Sequence, residues 1–316
     1  MSVRLAVVVV TYNSGAVIGE CLDSCSHIKT VVVDNASQDD TLEQVRLRPG
    51  VEVIANIDNR GFAAAVNQGV RQNNATFILL LNPDVKLRSN VDPLLEACGQ
   101  QGIGLATGQL LSEGGEPQTG FHVRRLPSPA ALACEVLGLN RLFPWNPVNR
   151  EYRCLDLDPT QPADVEQPAG AFLLFRREVW ERLDGFDERF YPLWFEDVDF
   201  CKRSLDLGWK IRYLPQVQAV HRGGHSISQL AWANREHYWY VSLLKYASKH
   251  FRSSEFRGMS VAVAVGSLIR TFFAIFQKRS FEPCAVYASV FRLGVACAFY
   301  GKMPQSSIIG QSGGEQ

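Results

Sequence analysis

Four short runs, Leu5–Val10, Thr30–Val33, Val51–Ala55 and Phe77–Leu81, are built from valine, leucine and isoleucine with almost no polar alternation. A strand that is apolar on both sides is covered on both faces, the condition of a parallel sheet inside an α/β layer. Helical patterns separate the runs. Gly15–Cys25 spaces Val17, Ile18, Cys21 and Leu22 along one face; Thr41–Arg46 is a short helix; Gly61–Asn73 spaces Phe62, Ala65, Val66 and Val70 likewise. Ser37 and the pair Asp39-Asp40 read as capping material for the second helix. Strand and helix in alternation predict a parallel sheet with right-handed crossovers.

In such a sheet the ligand crevice lies outside the carboxyl ends of the strands. Polar residues stand at all four ends: Thr11-Tyr12-Asn13, Asp34-Asn35, Asn59-Arg60-Gly61-Phe62 and Asn82-Pro83-Asp84. One such group is turn chemistry, but four along one edge outline a crevice with hydroxyl, amide, carboxylate and guanidinium groups. It suits a nucleotide base, a ribose and phosphates. No glycine-rich dinucleotide fingerprint or P-loop follows any strand, so phosphate binding calls for another device. A divalent cation, Mg²⁺ or Mn²⁺, held by carboxylates is the natural one, with Asp84 as ligand and Asn82 in support.

The chain has 316 residues, 46% hydrophobic and 20% charged, with zero net charge. A nucleic-acid partner held by a basic surface is therefore not expected. Eight cysteines show no metal-binding spacing and read as buried apolar residues in a reducing compartment. The first apolar run is too short for a secretory signal and too rich in valine for a helix, which predicts cytoplasmic residence.

Beyond about residue 104 the pattern loosens, with Gly, Pro and polar residues in Ser112–Gln118, Leu126–Pro129 and Pro144–Asp164. Order returns with a strand at Ala169–Phe175, a helix at Arg177–Leu183, a helix from Glu196 through Leu207, and short strands at Ile211–Leu214 and Ala219–His221. Leu230–Phe251 is a long helical pattern. Two apolar stretches follow, Val261–Phe276 and Ala285–Tyr300, each interrupted by an arginine (Arg270, Arg292). They form either an appendage packed on the sheet domain or a surface lying on a membrane, with Lys245, Lys249, Arg252, Arg257, Lys278 and Arg279 at its rim. The central arginines weigh against spanning. The expected organisation is a catalytic domain over 1–228, a helical region of one or the other kind, packed appendage or membrane-associating surface, over 229–304, and a disordered tail over 305–316.

Two further stations carry chemistry. Trp194-Phe195-Glu196-Asp197-Val198-Asp199 places three carboxylates at a helix start beside aromatic residues. Such a carboxylate acts as a general base for a hydroxyl, while Glu196 and Asp199 also fit as caps or ion-pair partners. His221, ending a strand before Arg222-Gly223-Gly224-His225-Ser226, fits as a further metal ligand on a loop able to close over phosphates.

Taken together, Val-Val-Thr-Tyr-Asn, Val-Val-Val-Asp-Asn-Ala-Ser, Asn-Arg-Gly-Phe-Ala-Ala-Ala-Val-Asn-Gln-Gly and Leu-Leu-Asn-Pro-Asp-Val resemble family 2 glycosyltransferases. So do Gly170-Ala171-Phe172, Gly185-Phe186-Asp187, Glu196-Asp197 and His221-x-x-Gly224. Their order and spacing are similar to the rhamnosyltransferase-like branch, over about residues 3 to 228; Asn-Pro-Asp departs from the usual Asp-x-Asp. The resemblance implies a GT-A fold, a mainly parallel sheet flanked by helices, with a nucleotide-diphosphate sugar donor, a divalent metal and inversion at the anomeric carbon. It implies Asp84 as the metal-binding acid, His221 as an added metal ligand and Asp197 as the catalytic base. Thr11, Tyr12, Asn13 and Asp34 resemble the base- and ribose-binding groups, with Arg60, Gly61, Asn67 and Asn82 near the donor.

The expected activity is transfer of L-rhamnose from dTDP-rhamnose to a lipid-linked or polysaccharide acceptor of a bacterial surface glycan such as an O-antigen. The acceptor pocket is expected along Gly120–Asp164 with Gly170, Trp194 and Glu196, where Arg124, Arg125 and Trp145 are further candidates. A nucleotidyltransferase, or a nucleotide-sugar-binding protein on an inactive scaffold, are the competing readings. The first would want a basic phosphate loop near the N-terminus; the second sits poorly with acidic residues at both stations.

Overall fold

A computed structural model describes residues 4–223, 230–278 and 281–304. The expected Gly224-His225-Ser226 loop, Arg279, the side chain of Lys278 and the tail 305–316 lie outside the described residues. The chain forms two compact units: an α/β unit of Met1–Leu126, Arg153–Glu188 and Glu196–Gln229, and a helical unit of Pro127–Tyr152, Arg189–Phe195 and Leu230–Gln316.

In the α/β unit the strands are β1 (Leu5–Thr11), β2 (Lys29–Asp34), β3 (Val51–Ala55), β4 (Phe77–Leu81), β5 (Val85–Leu87), β6 (Ile103–Leu111), β7 (Val123–Arg124), β8 (Ala163–Val165), β9 (Gln167–Pro168), β10 (Phe172–Arg176) and β11 (Lys210–His221). The main sheet runs β3-β2-β1-β4-β10-β6-β11-β5, with β8 added to β11; β7 and β9 make a separate pair. Helices α1 (Gly15–Ser24), α2 (Thr41–Arg46), α3 (Phe62–Arg71) and α4 (Asp92–Gly99) belong to this unit.

The first four strands are parallel, as their pattern predicts, with Val8 level with Val31 on one side and Leu80 on the other. Successive residues enter opposite cores. Val7, Val9, Leu79 and Leu81 pack with Ile18, Leu22 and Leu94, while Val8, Val33 and Leu80 pack with Ala65, Val66 and Val70. Two covered faces keep the middles of β1, β2 and β4 apolar.

Three expectations change. The irregular region after residue 104 contains the nine-residue strand β6, in the middle of the sheet. Its glycines hide it: a Cβ on Gly108 would lie 2.1 Å from the Val217 carbonyl oxygen, so close backbone approach forbids the side chain that would have marked a strand. The two short strands after Lys210 are one strand, whose pairing with β6 slips between Tyr213 and Gln218, around Pro215, and then resumes. Proline lacks the ladder N–H, which accounts for the slip. Finally, β10 runs antiparallel to both neighbours, β4 and β6.

The helical unit comprises α5 (Pro129–Val136), α6 (Leu139–Leu142) and α7 (Pro147–Tyr152), then α10 (Trp232–His250), α11 (Ser253–Lys278) and α12 (Glu282–Tyr300); α8 (Arg177–Arg182) and α9 (Glu196–Asp206) lie in the α/β unit. Helices α11 and α12 form an antiparallel pair. Gly294 sits against Ser260 and Ala264, where a Cβ would come within 2.9 Å of the Ser260 carbonyl. Arg257 donates to the carbonyls of Ala298 and Phe299 at 3.0 and 3.2 Å, serving the last turn of α12. By length and composition, Ser253–Ile275 and Glu282–Tyr300 are each apolar enough to cross a bilayer.

Candidate active site

The ends of β1 and β2 are locked by one carboxylate. Asp34, almost wholly buried, accepts from the Thr11 hydroxyl (2.8 Å), the Ser37 hydroxyl (2.5 Å) and the Ser37 amide (2.9 Å). Ser37 in turn accepts from the Asn13 amide at 2.8 Å, and Asn13 Oδ1 accepts from the Gln38 amide at 2.7 Å. Ser37 therefore does not cap α2; it closes the turn that shapes the crevice. Asp39 is shared between both helices, accepting from the Gly15 amide at 2.9 Å and the Thr41 amide at 3.0 Å. Burial alone would raise its pKa, but these bonds and the one from the Thr41 hydroxyl hold it below the usual carboxylate range. Tyr12 is half-buried at the same rim.

At the third strand end, Gly61 has φ 83° and ψ 161°, a conformation open to glycine, and its amide is held by Asn59 Oδ1 at 2.9 Å. Arg60 beside it is exposed, with no ion-pair partner among the described residues. A network not evident in the sequence supports this corner: Asn35 Nδ2 donates to the Gly61 carbonyl, and Asn56 Nδ2 donates to both Asn35 Oδ1 and Gln68 Oε1.

Asn67 is a correction. Its Oδ1 accepts from Trp180 Nε1 and the Phe186 amide, and its Nδ2 donates to the Phe186 carbonyl and Glu188 Oε1, all at 2.9 Å. An amide has two donors and two acceptor positions, so every one is taken inside the protein. Asn67 clamps α3 to the Gly185-Phe186 turn and has nothing left for a donor. Arg203 holds the same turn from the other side, donating to the carbonyls of Leu183 and Gly185 and to buried Asp199 at 2.7 Å. Asp199 is thus an ion-pair partner.

Asp84 follows Asn82, which is half-buried, and lies in a corner with His221 brought there by the antiparallel pairing of β5 with the end of β11. His221 Nε2 is 3.5 Å from Asp84 Oδ1, and both side chains are buried. Gln118 fixes the imidazole: its Nε2 donates to the His221 carbonyl at 2.8 Å, which turns its Oε1 toward His221 Nδ1 at 3.0 Å. Nδ1 then carries a proton, and in the neutral ring Nε2 turns its lone pair toward a carboxylate oxygen. In that form the two facing acceptors fit a cation between them. Phe121 stacks on the ring at 5.3 Å between centroids. A cavity of about 150 Å³, lined by Asp84, Cys21, Glu20, Arg88 and Arg222 among others, opens beside this pair.

At the acidic station, Asp197 Oδ2 accepts from the Gly170 amide at 2.8 Å and Oδ1 from the Val198 amide at 2.8 Å. Burial raises its pKa above the ordinary aspartate value, although the two amides and the Arg124 guanidinium pull it down. The neighbouring carbonyl, Ala171, accepts from the Asn82 amide at 3.0 Å, so one short backbone segment joins the Asp197 station to the segment leading to Asp84. Glu196 is buried, and its Oε2 has no hydrogen-bond partner among the described residues. Burial, then the charges of Asp197 and Asp199, push its pKa well up.

The other acceptor-side candidates divide. Trp194 and Phe195, both with positive φ (74° and 70°), precede Glu196 in a strained stretch of the helical unit. Arg125 pairs with Asp156 at 3.3 Å, a surface ion pair. Trp145 lies in the helical unit and is 76% exposed.

The sequence profile described as glycosyl transferase family 2 matches residues 6–183. The chain belongs to this family. It is 29% identical over 242 residues to the N-acetylglucosaminyl-diphospho-decaprenol L-rhamnosyltransferase of Mycobacterium tuberculosis, covering 70% of this chain and 77% of that protein. It is 24% identical over 170 residues to the rhamnosyltransferase WbbL of Escherichia coli, covering 53% of this chain and 60% of that protein. Among solved structures, GalNAc-T7 with UDP, GalNAc and Mn²⁺ superposes with a TM-score of 0.52 at 17% identity, over 70% of this chain and 44% of that one. The glycosyltransferase has the GT-A fold, with a mostly parallel central sheet and C-terminal helices.

Proposed function

We propose that this glycosyltransferase moves L-rhamnose from dTDP-rhamnose, with inversion, onto a lipid-linked glycan at the inner face of a bacterial cytoplasmic membrane. The names of the relatives from M. tuberculosis and E. coli support the sugar, and the first supports the kind of acceptor. The observation that carries the reading is the segment Gly170-Ala171, which holds Asp197 by one amide and Asn82, two residues before Asp84, by one carbonyl. Base and leaving-group station are thereby built on one rigid strand edge.

Asp34, Thr11 and Tyr12 shape the pocket for base and ribose; Asp34 has one acceptor direction left on Oδ2 after its three internal bonds. Arg60, exposed and unpaired, offers its guanidinium to the donor's phosphates. Asp84 and His221 would hold a divalent cation, Mg²⁺ or Mn²⁺, which supplies charge neutralisation to the departing diphosphate. Among the described residues no third acidic, histidine or cysteine ligand joins them, so donor phosphate oxygens and water complete the set.

Asp197 has two lone-pair directions beyond its two amide bonds and takes the proton from the acceptor hydroxyl. The hydroxyl oxygen forms the new bond to the anomeric carbon as the bond to the diphosphate oxygen breaks, its electron pair leaving on the nucleotide. One displacement gives one inversion. Burial of Asp197 strengthens it as a base. Replacing Asp197 by Asn should abolish transfer while dTDP binding stays at the wild-type level; wild-type turnover by that variant sinks the assignment.

A further inference from the structure

The zero net charge of the chain conceals a separation. The helical unit carries 13 lysines and arginines against 6 acidic residues, net +7, and the α/β unit carries 19 against 26, net −7. The basic unit also holds most of the large exposed apolar side chains among the described residues. Along α11, Val261, Val265, Leu268 and Phe272 recur at helical spacing and are all exposed, with Phe273 beside them. On α12, Val295 and Phe299 do the same, the latter 75% exposed. A third element is the turn after α6, where Leu142, Phe143 and Trp145 are each about two-thirds exposed or more. The helix α5 that leads into this stretch packs on the middle of α11: Gly266 lies against the Val136 carbonyl, and Arg270 donates to the Glu135 carbonyl at 2.8 Å.

We propose that the helical unit docks on an anionic lipid surface, with the α6 turn and the exposed faces of α11 and α12 entering the headgroup–acyl boundary. Apolar and aromatic side chains exposed on a strongly basic body are the composition of an interfacial surface, attracted by charge and held by apolar insertion. Spanning is disfavoured on two grounds. Arg292 is exposed midway along α12 and would face the bilayer centre. The middle of α11 is packed against the backbone of α5 and its irregular continuation, which could not sit among acyl chains. The inference deepens the reading above, because a lipid-linked acceptor is presented at such a surface, but its test needs no turnover.

The full-length protein is mixed with vesicles of phosphatidylcholine alone or vesicles rich in phosphatidylglycerol, and flotation is measured against salt. Wild type should float with the anionic vesicles, at least tenfold more weakly with the neutral ones, and lose binding as salt rises. The pairs Phe143→Ser with Trp145→Ser, and Phe272→Ser with Phe273→Ser, replace exposed side chains. Each should lower binding at least tenfold while circular dichroism and dTDP binding in lipid-free buffer stay unchanged. Wild-type flotation by both pairs, indifference to lipid charge, self-association through these residues without flotation, or resistance of the membrane-bound chain to alkaline carbonate extraction would each overturn the proposal. Loss of dTDP binding by wild type would instead strike the enzymatic reading alone.

Discussion

The amide of Gly170 donates to Asp197 Oδ2 at 2.8 Å, and the space where a Gly170 side chain would stand is already filled by the same aspartate. A Cβ there would lie 3.0 Å from Asp197 Cβ and 3.3 Å from Oδ2. Gly170→Ala therefore pushes Asp197, the proposed base, away from its amide. Misplacement on the ångström scale costs roughly 100-fold in rate. Steady-state kinetics should show kcat down by at least about tenfold with KM for the nucleotide sugar unchanged.

Arg124 lowers the pKa of Asp197, opposing burial. In the proposed role of Asp197 as base the carboxylate works ionised, so transfer should fall as pH drops through that pKa. Arg124→Gln removes the opposing charge and raises the pKa further. The acid limb of the kcat/KM profile should move to higher pH, with the plateau above it retained; an unmoved limb would show that Arg124 does not reach the base.

Gln118 sets the tautomer of His221 from 103 residues away. Gln118→Leu keeps the bulk but frees Nδ1 and leaves the His221 carbonyl without its donor. Groups that orient metal-binding histidines are worth about 10- to 100-fold in affinity. The Mn²⁺ concentration giving half-maximal activity should rise by that factor, while dTDP binding measured without metal stays constant.

Glu196 bears on stability. Its pKa is raised in the fold by burial and by two neighbouring carboxylates, whereas in the unfolded chain it titrates near ~4.3. Between those values the fold keeps a proton that the unfolded chain has released, so stability falls as pH rises through the window, by up to about 1.4 kcal/mol per pH unit. Glu196→Gln has no such proton. Urea unfolding should find the variant more stable than wild type at neutral pH, with the difference vanishing at acid pH.

Of the strands legible in the sequence, β1, β2 and β4 are buried at all or nearly all positions, so residue type declares them, while the half-exposed β3 is declared by Val51, Val53 and Ile54. The positions of Asp84, Asp197 and His221 at strand or helix ends were legible for the opposite reason, as carboxylates and an imidazole beside apolar runs. What stayed hidden depends on distant partners. Strand β6 is masked because Gly108 must yield to Val217, a residue on a strand not yet met. Asn67 looks like a polar crevice residue until Trp180 and Phe186, more than a hundred positions on, claim its amide. Gln118 sits in a stretch with every mark of an ordinary turn. Trp145 could be placed only once the division of the chain into units was known.

Strand β10 lies between β4 and β6, hydrogen-bonded along both edges, and begins two residues after Gly170. Opening it would split the sheet through its middle, so its amides belong to the slowest-exchanging class, released only when the whole α/β unit opens. The geometry that holds the base is therefore no softer than the fold itself. Heat should remove activity and structure in a single event, with no intact but inactive form in between.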